Sequence, residues 1–246
     1  IYTIAEMEKH YRDSFNKQRE NAFDLGKFLP DLRRHIRPMV PGEVLLMLAD
    51  TGVGKTMMMQ QMLRAASPLP SLLFELELPM NLGFERFVQM EIHCYASDVE
   101  KEYRELTAPM WSHYKGLHHI TVCPESGLTT DQIENYIVRS ELKMGRRPVV
   151  VGVDYVGLLN QRQTRSRYEA VSKAAEDVKV IAKNTGTIIL LASQVARPDH
   201  KKGSFEVGLH DGKDSGALEC SAGVVLGVWR TEKHVLKIKI LKNTSG

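Results

Sequence analysis

Cysteine is scarce. Only Cys94, Cys123 and Cys220 occur in 246 residues, far apart and odd in number. They cannot all pair into a disulfide framework and do not fall at metal-ligand spacing, so ordinary thiols in a reducing compartment are expected. A dominant charge is also lacking: 33 Lys and Arg against 30 Asp and Glu leave a formal net charge of +3. No overall basic field marks the chain for nucleic acid, and any such contact must come from local patches. No apolar run approaches the roughly 18 residues that span a bilayer, and the N-terminus lacks the layout of a secretion signal. No membrane partner and a cytoplasmic location are therefore expected. What is present is 43% hydrophobic residues, enough for the full core of one large domain or two small ones. A start at Ile1 rather than methionine and an end at Ser245-Gly246 read as a piece of a longer chain.

Residues 1–20 are charge-rich, with Ile4, Met7, Tyr11 and Phe15 near helical spacing. They predict a lone amphipathic helix, packed either on its own domain or on a neighbouring subunit. After a proline-punctuated turn, "VLLMLA" (44–49) is a fully apolar run of strand length, the pattern of a strand buried on both faces of a parallel sheet. Further strands are expected at 71–78, 116–124, 147–159, 185–194 and 222–230, with a possible antiparallel one at 234–242. Helices are expected at 54–66, 80–96, 129–144 and 168–184. This alternation predicts a right-handed, doubly wound α/β fold with a mainly parallel sheet and helices on both faces. Ligands of such sheets bind at the carboxyl ends of the strands.

The stretch "ADTGVGKT" (49–56) follows the first apolar run and opens a predicted helix. It fits the phosphate-loop pattern G-x-x-x-x-G-K-[ST] except that Ala49 replaces the first glycine. Gly52 and Gly54 would let the backbone N–H groups of Thr51–Thr56, Val53 included, converge on phosphate oxygens at a helix N-terminus. Lys55 could then reach the β- and γ-phosphates and Thr56 could bind Mg²⁺, so ATP and Mg²⁺ are the expected ligands. Phosphoryl transfer also needs a carboxylate for the metal and a group that orients or activates water. Asp154 closes the apolar "VVVGVD", the form of a Walker B strand, where an acid without such a role would be a costly buried charge. Glu75 and Glu77 alternate onto one face of a predicted strand, and the pattern alone does not choose between them. Gln194 ends another apolar strand and could either sense the γ-phosphate or merely cap the strand.

With these residues assembled, the chain resembles the C-terminal motor domain of DnaB-type replicative helicases, within the RecA-like P-loop ATPases. "ADTGVGKT" is similar to the family's phosphate loop, which itself often begins with alanine. "ELELP" resembles "SLEMP", "VDYVGLL" resembles "IDYLQLM", "LASQVAR" resembles "LSQLNR", and "DSGALECSAGVVLGVWR" resembles "ESGSIEQDADLVLFLYR". Five such stretches occur in order over roughly residues 22–246, leaving 1–21 as a linker helix. The resemblance implies that Glu77 is the catalytic glutamate, with Lys55 and Gln194 serving the same reaction. It implies a homo-oligomer, usually a hexameric ring, with ATP between subunits and single-stranded DNA in the central channel. A replication loader or primase is a possible further partner. Two basic stretches fit DNA-contacting loops: 160–169 with Arg162, Arg165 and Arg167, and 197–214 with Lys201 and Lys202. Their contacts would be to phosphates, without base specificity.

The departures are informative. Where the family's last strand carries a lysine and then an arginine finger, as in "AKQRNG", this chain has "LKNTSG". Lys242 takes the lysine position and Thr244 that of the finger, whose contribution in such enzymes is about 10³–10⁵ in rate. Lys242 or Arg230 could substitute. The "QDAD" of the family becomes "CSAG", leaving Ser221 and Gly223, and the helicases' N-terminal primase-binding domain is not in the sequence. Two other classes stay open beside the helicase motor: a RecA-related DNA-binding ATPase that loads or recombines without unwinding, and a nucleotide-switched oligomer. The histidines of "HYKGLHH" (113–119) straddle a helix-to-strand boundary without partners at ligand spacing, so metal binding is not expected there. Met57, Met58 and Met59 read as helix packing against the sheet.

Overall fold

The computed structural model describes residues 2–105, 115–160, 166–195, 206–212, 216–232 and 235–244. Seven strands form one sheet: β1 (Val44–Ala49), β2 (Ser71–Glu75), β3 (Ile120–Cys123), β4 (Val150–Asp154), β5 (Ile188–Gln194), β6 (Val224–Glu232) and β7 (Val235–Asn243). Their order is β3-β2-β4-β5-β1-β6-β7. Every pairing is parallel except β6 with β7, which is antiparallel. This is the doubly wound, RecA-like arrangement expected from the alternation of apolar strands and helices, with the last strand reversed at one edge.

The period of two along each strand divides the core into two layers. One face presents Leu46, Leu48, Phe74, Val151, Val153 and Leu191 to α5 (Thr130–Met144) and α6 (Arg167–Thr185), whose Ile133, Ile137, Ala175, Val178 and Ala182 are buried against it. The other presents Leu45, Met47, Leu73, Val150, Leu190 and Leu226 to α2 (Lys55–Ala65) and to the segment carrying Phe23, Leu25, Ile36 and Met39. β1 and β4 are buried at every residue, because both faces are covered.

The methionine run divides by face. Met58 and Met59 pack into the second layer, as expected, but Met57 is 54% exposed. α2 packs on the sheet at Gly152, where a Cβ would come within 2.9 Å of Met59 Sδ and 3.2 Å of Leu63 Cδ1. A glycine in β4 thus permits the helix to sit this deep.

Two helices lie where the sequence pattern predicts none. After α3 (Met80–Ile92), His93 adopts a left-handed conformation at φ 53°, ending the helix short of 96. The chain then resumes as α4 (Ala96–Glu105), which packs Val99 against Val88 and Tyr103 edge-on to Phe84. The short α7 (Gly216–Ser221) precedes β6.

The N-terminal helix α1 (Ile4–Glu20) forms with a reciprocal cap between Thr3 and Glu6. None of its residues is buried, and Ile4 stays 80% exposed. The described residues of its own domain do not cover the apolar stripe. No described helix is long and apolar enough to cross a membrane.

Candidate nucleotide site

β1 delivers the chain to the turn Asp50–Gly54, and α2 begins at Lys55. Gly52 and Gly54 have φ of 77° and 109°, a region open to glycine and strained for other residues. No side chain caps α2, so its first N–H groups and its dipole face the turn, a ready site for an anion. Thr51, Gly52, Gly54, Lys55 and Thr56 line a cavity of about 850 Å³; Val53 is buried behind them.

Lys55 is 6% exposed, and its Nζ donates to the carbonyls of Asp50 (2.8 Å) and Ala49 (3.3 Å). Burial lowers its pKa, while Asp154, Glu77 and Asp50 nearby oppose the shift. The ammonium is thus within electrostatic reach of these three carboxylates.

Asp154 ends β4, fully buried, at the strand position paired with Glu75 on β2. Burial pushes its carboxyl pKa up and Glu77 adds to this, against the pull of the Thr56 hydroxyl and of Lys55. Thr56 is near enough to exert that pull but does not close a hydrogen bond of good geometry, since both Asp154 oxygens are without a hydrogen-bond partner. Two orphaned carboxyl oxygens beside a threonine hydroxyl match the oxygen donors that a hard cation such as Mg²⁺ takes.

The two glutamates part company because β2 stops at Glu75. Up to that residue the side chains alternate across the sheet, and Glu75 points into the protein, 1% exposed. The chain then turns: Leu76 donates its N–H to the Asp154 carbonyl (3.0 Å), and Glu77 emerges exposed on the cavity wall. Burial, then the neighbouring Asp154, push the Glu75 carboxyl up to about 7, against the N–H groups of Leu78 and Glu77.

Gln194, at the end of β5, also lines the cavity, as do Arg86 of α3 and Arg230 of β6. Of these two arginines, sequence reasoning singles out only Arg230, as a stand-in for the missing finger; Arg86 sits in a helix and carries no such mark. Lys242 is not on the wall, and its Nζ donates instead to the Glu219 carbonyl at 2.6 Å. Thr244 is held to the carbonyl of Gly223 through both its N–H (2.9 Å) and its hydroxyl (3.2 Å). His119 Nε2 bonds the Leu63 carbonyl at 2.9 Å, a structural contact. Arg162, Arg165, Lys201 and Lys202 lie outside the described residues, and Arg167 is described only as the first residue of α6.

A family model for the DnaB-like helicase C terminal domain matches residues 27–245. Among curated proteins, the chain is 27% identical over 205 residues to the replicative DNA helicase DnaB of Mycoplasma genitalium, covering 78% of this chain and 43% of that protein. It is 23% identical over 215 residues to the DnaB of Haemophilus influenzae, covering 83% and 46%. The DnaB-like replicative helicase of Enterobacteria phage T4 matches at 26% identity over 114 residues, 45% of this chain and 24% of that one. The chain thus spans less than half the length of these relatives. Among solved structures, an ATPase domain superposes with a TM-score of 0.80 at 18% identity, covering 100% of this chain and 93% of that one. A DnaB-like replicative helicase, from a study of its interactions with primase, gives 0.73 at 20% identity, with coverage of 84% and 53%. By the match over residues 27–245, the chain belongs to the DnaB-like helicase C-terminal domain family.

Proposed function

We propose that this domain is an ATP-hydrolysing motor that moves on single-stranded DNA as part of a DnaB-type helicase in replication. The observation that carries the reading is the convergence of Lys55, Thr56, Asp154 and Glu77 at the ends of β1, β4 and β2, around a helix N-terminus without a side-chain cap. The backbone from Thr51 to Thr56 would cradle the triphosphate, with Lys55 leaving its carbonyl partners for the β- and γ-phosphates. Thr56 and Asp154 would hold Mg²⁺, which when bound neutralises charge on the phosphate oxygens. Glu77, exposed on the cavity wall, would take the proton of the attacking water, and Gln194 would respond to the γ-phosphate.

The remaining assignments rest on the family. Arg162, Arg165, Arg167, Lys201 and Lys202 would contact DNA phosphates in the channel of a homo-oligomeric, hexameric ring. The uncovered apolar stripe of α1 suits a neighbouring copy, and a loader or primase would join through parts of the longer protein. A second reading, a DNA-binding ATPase that does not unwind, is favoured by one observation: Thr244 stands where a neighbour-reaching arginine is expected and is tied to Gly223.

The deciding experiment is the ATPase rate with and without single-stranded DNA, paired with displacement of a forked duplex. DNA-stimulated hydrolysis with displacement supports the motor. Stimulation without displacement supports the second reading, and nucleotide binding with negligible turnover would reduce ATP to a switch for assembly.

A further inference from the structure

The connector between β2 and α3, Leu76–Pro79, is only four residues long and carries Glu77. Two of its three backbone N–H donors have a defined partner. The Leu76 N–H goes to the Asp154 carbonyl at 3.0 Å. The Leu78 N–H goes to Glu75 Oε1 at 3.2 Å, and the Glu77 N–H lies close enough to the same carboxylate to pull its pKa down. Pro79 has no N–H, and although it is the N-cap of α3 it offers no side-chain cap. The connector is therefore held on one side by the backbone of β4 and on the other by a single side chain.

That side chain is itself immobilised. Glu75 is 1% exposed at the last residue of β2, and α3 roofs it at Gly83, where a Cβ would lie 3.9 Å from Glu75 Cγ. Its Oε2 has no hydrogen-bond partner, so the backbone of the connector is what the carboxylate serves. The similar family stretch "SLEMP" has serine at this position, a residue whose hydroxyl commonly accepts backbone N–H groups two or three residues on.

We propose that Glu75 is a positioning residue: its side-chain oxygen is the template on which the Leu76–Pro79 connector is wound, and it thereby fixes the aim of Glu77 into the nucleotide cavity. Glu75 does not line the cavity. The inference rests on the reading of Glu77 as the base. It requires an acceptor at position 75, not a charge.

The test compares ATP turnover and ATP affinity in Glu75→Gln, Glu75→Leu, Glu77→Gln and the double variant Glu75→Leu/Glu77→Gln. Glu75→Gln keeps an acceptor of the same length, and kcat should stay within about threefold of the parent. Glu75→Leu keeps the bulk and loses the acceptor; kcat should fall at least about tenfold while ATP affinity changes by less than about threefold. In the Glu77→Gln background the leucine should cost nothing further, because there is no base left to aim. Parental kcat in Glu75→Leu, or an equal loss in Glu75→Gln, would overturn the proposal. Retained turnover in Glu77→Gln would instead overturn the assignment of the base, a separate failure. If the leucine variant does not fold, hydrogen exchange in Glu75→Ala decides: the amides of Glu77 and Leu78 should exchange faster while β4 stays protected, and unchanged protection of those two amides overturns the proposal.

Discussion

Met59 occupies the space that any side chain on Gly152 would need, its Sδ 2.9 Å from the position of the missing Cβ. This contact sets the depth at which the phosphate-loop helix sits on the strand that ends in Asp154. Gly152→Ala would force Met59, Leu63 and Leu73 apart together inside a filled layer, at a cost of about 1–3 kcal/mol. A lower Tm and weaker ATP binding are expected, although alanine in a strand is otherwise the better residue. Thermal denaturation and nucleotide titration check both.

Lys55→Ala should abolish ATP binding or hydrolysis, since it removes the cation at the base of the loop that is already held between Asp50 and the carboxylates. Glu77→Gln should bind ATP normally and not turn it over. Binding measured by a fluorescent analogue and turnover by phosphate release separate the two effects; full ATPase activity in Lys55→Ala would refute the site.

Of the two cations that could stand in for the missing finger, Arg230 lines the cavity and Lys242 is bound to the Glu219 carbonyl. Arg230→Ala should therefore reduce kcat/KM for ATP by at least about tenfold, and Lys242→Ala by less. The reverse ranking in a steady-state assay would return Lys242 to the role.

Glu75 makes stability depend on pH. Its folded pKa of about 7 lies above the ordinary 4.5, so below 4.5 the residue is neutral in both states and costs nothing. As pH rises from about 4.5 to about 7 the unfolded chain ionises first and stability falls, by about 3 kcal/mol in all, then levels off. Glu75→Gln should flatten this fall and be the more stable protein at pH 8, which denaturant melts of the metal-free protein at pH 5 and pH 8 would show.

If Arg162, Arg165 and Arg167 meet DNA phosphates, replacing all three by glutamate should weaken single-stranded DNA binding. It should also reduce the slope of log affinity against log salt by about 2–3. Affinity unchanged across a salt titration would mean that the three are simply solvated.

The sheet and the phosphate loop are legible in the sequence because both have strong periods: unbroken apolar runs for strands covered on two faces, and glycines at fixed distance from Lys55. Glu75 and Glu77 are not separable there, because alternation places them together only while the strand lasts, and β2 ends between them at the tie from Leu76 to Asp154. α4 gives little signal because it buries little more than Val99. α7 gives none because six residues are too few for a helical period to emerge. The uncovered state of α1 has no local signature either, since the same amphipathic stripe serves a helix packed at home or abroad.

The strand-end groups of this domain fall in two neighbouring rows of the sheet: with Val153 paired to Leu191, Gln194 stands further along β5 than Asp154 does along β4. Glu75 pairs with Asp154, and Ala49, one residue before the phosphate-loop turn, pairs with Gln194 on one side and Val228 on the other. For Glu75, Asp154, Ala49 and Gln194 the hydrogen-bond ladder sets the alignment, strand by strand, and the turn and the connector carry Lys55, Thr56 and Glu77 from there. A slip of one residue in any of these pairings would turn an acid or an amide to the opposite face. The ladder is thus a ruler as well as a scaffold. The tips of its strands can be exchanged, serine for glutamate at 75 or glycine for alanine at 49, while the ruler itself stays unchanged.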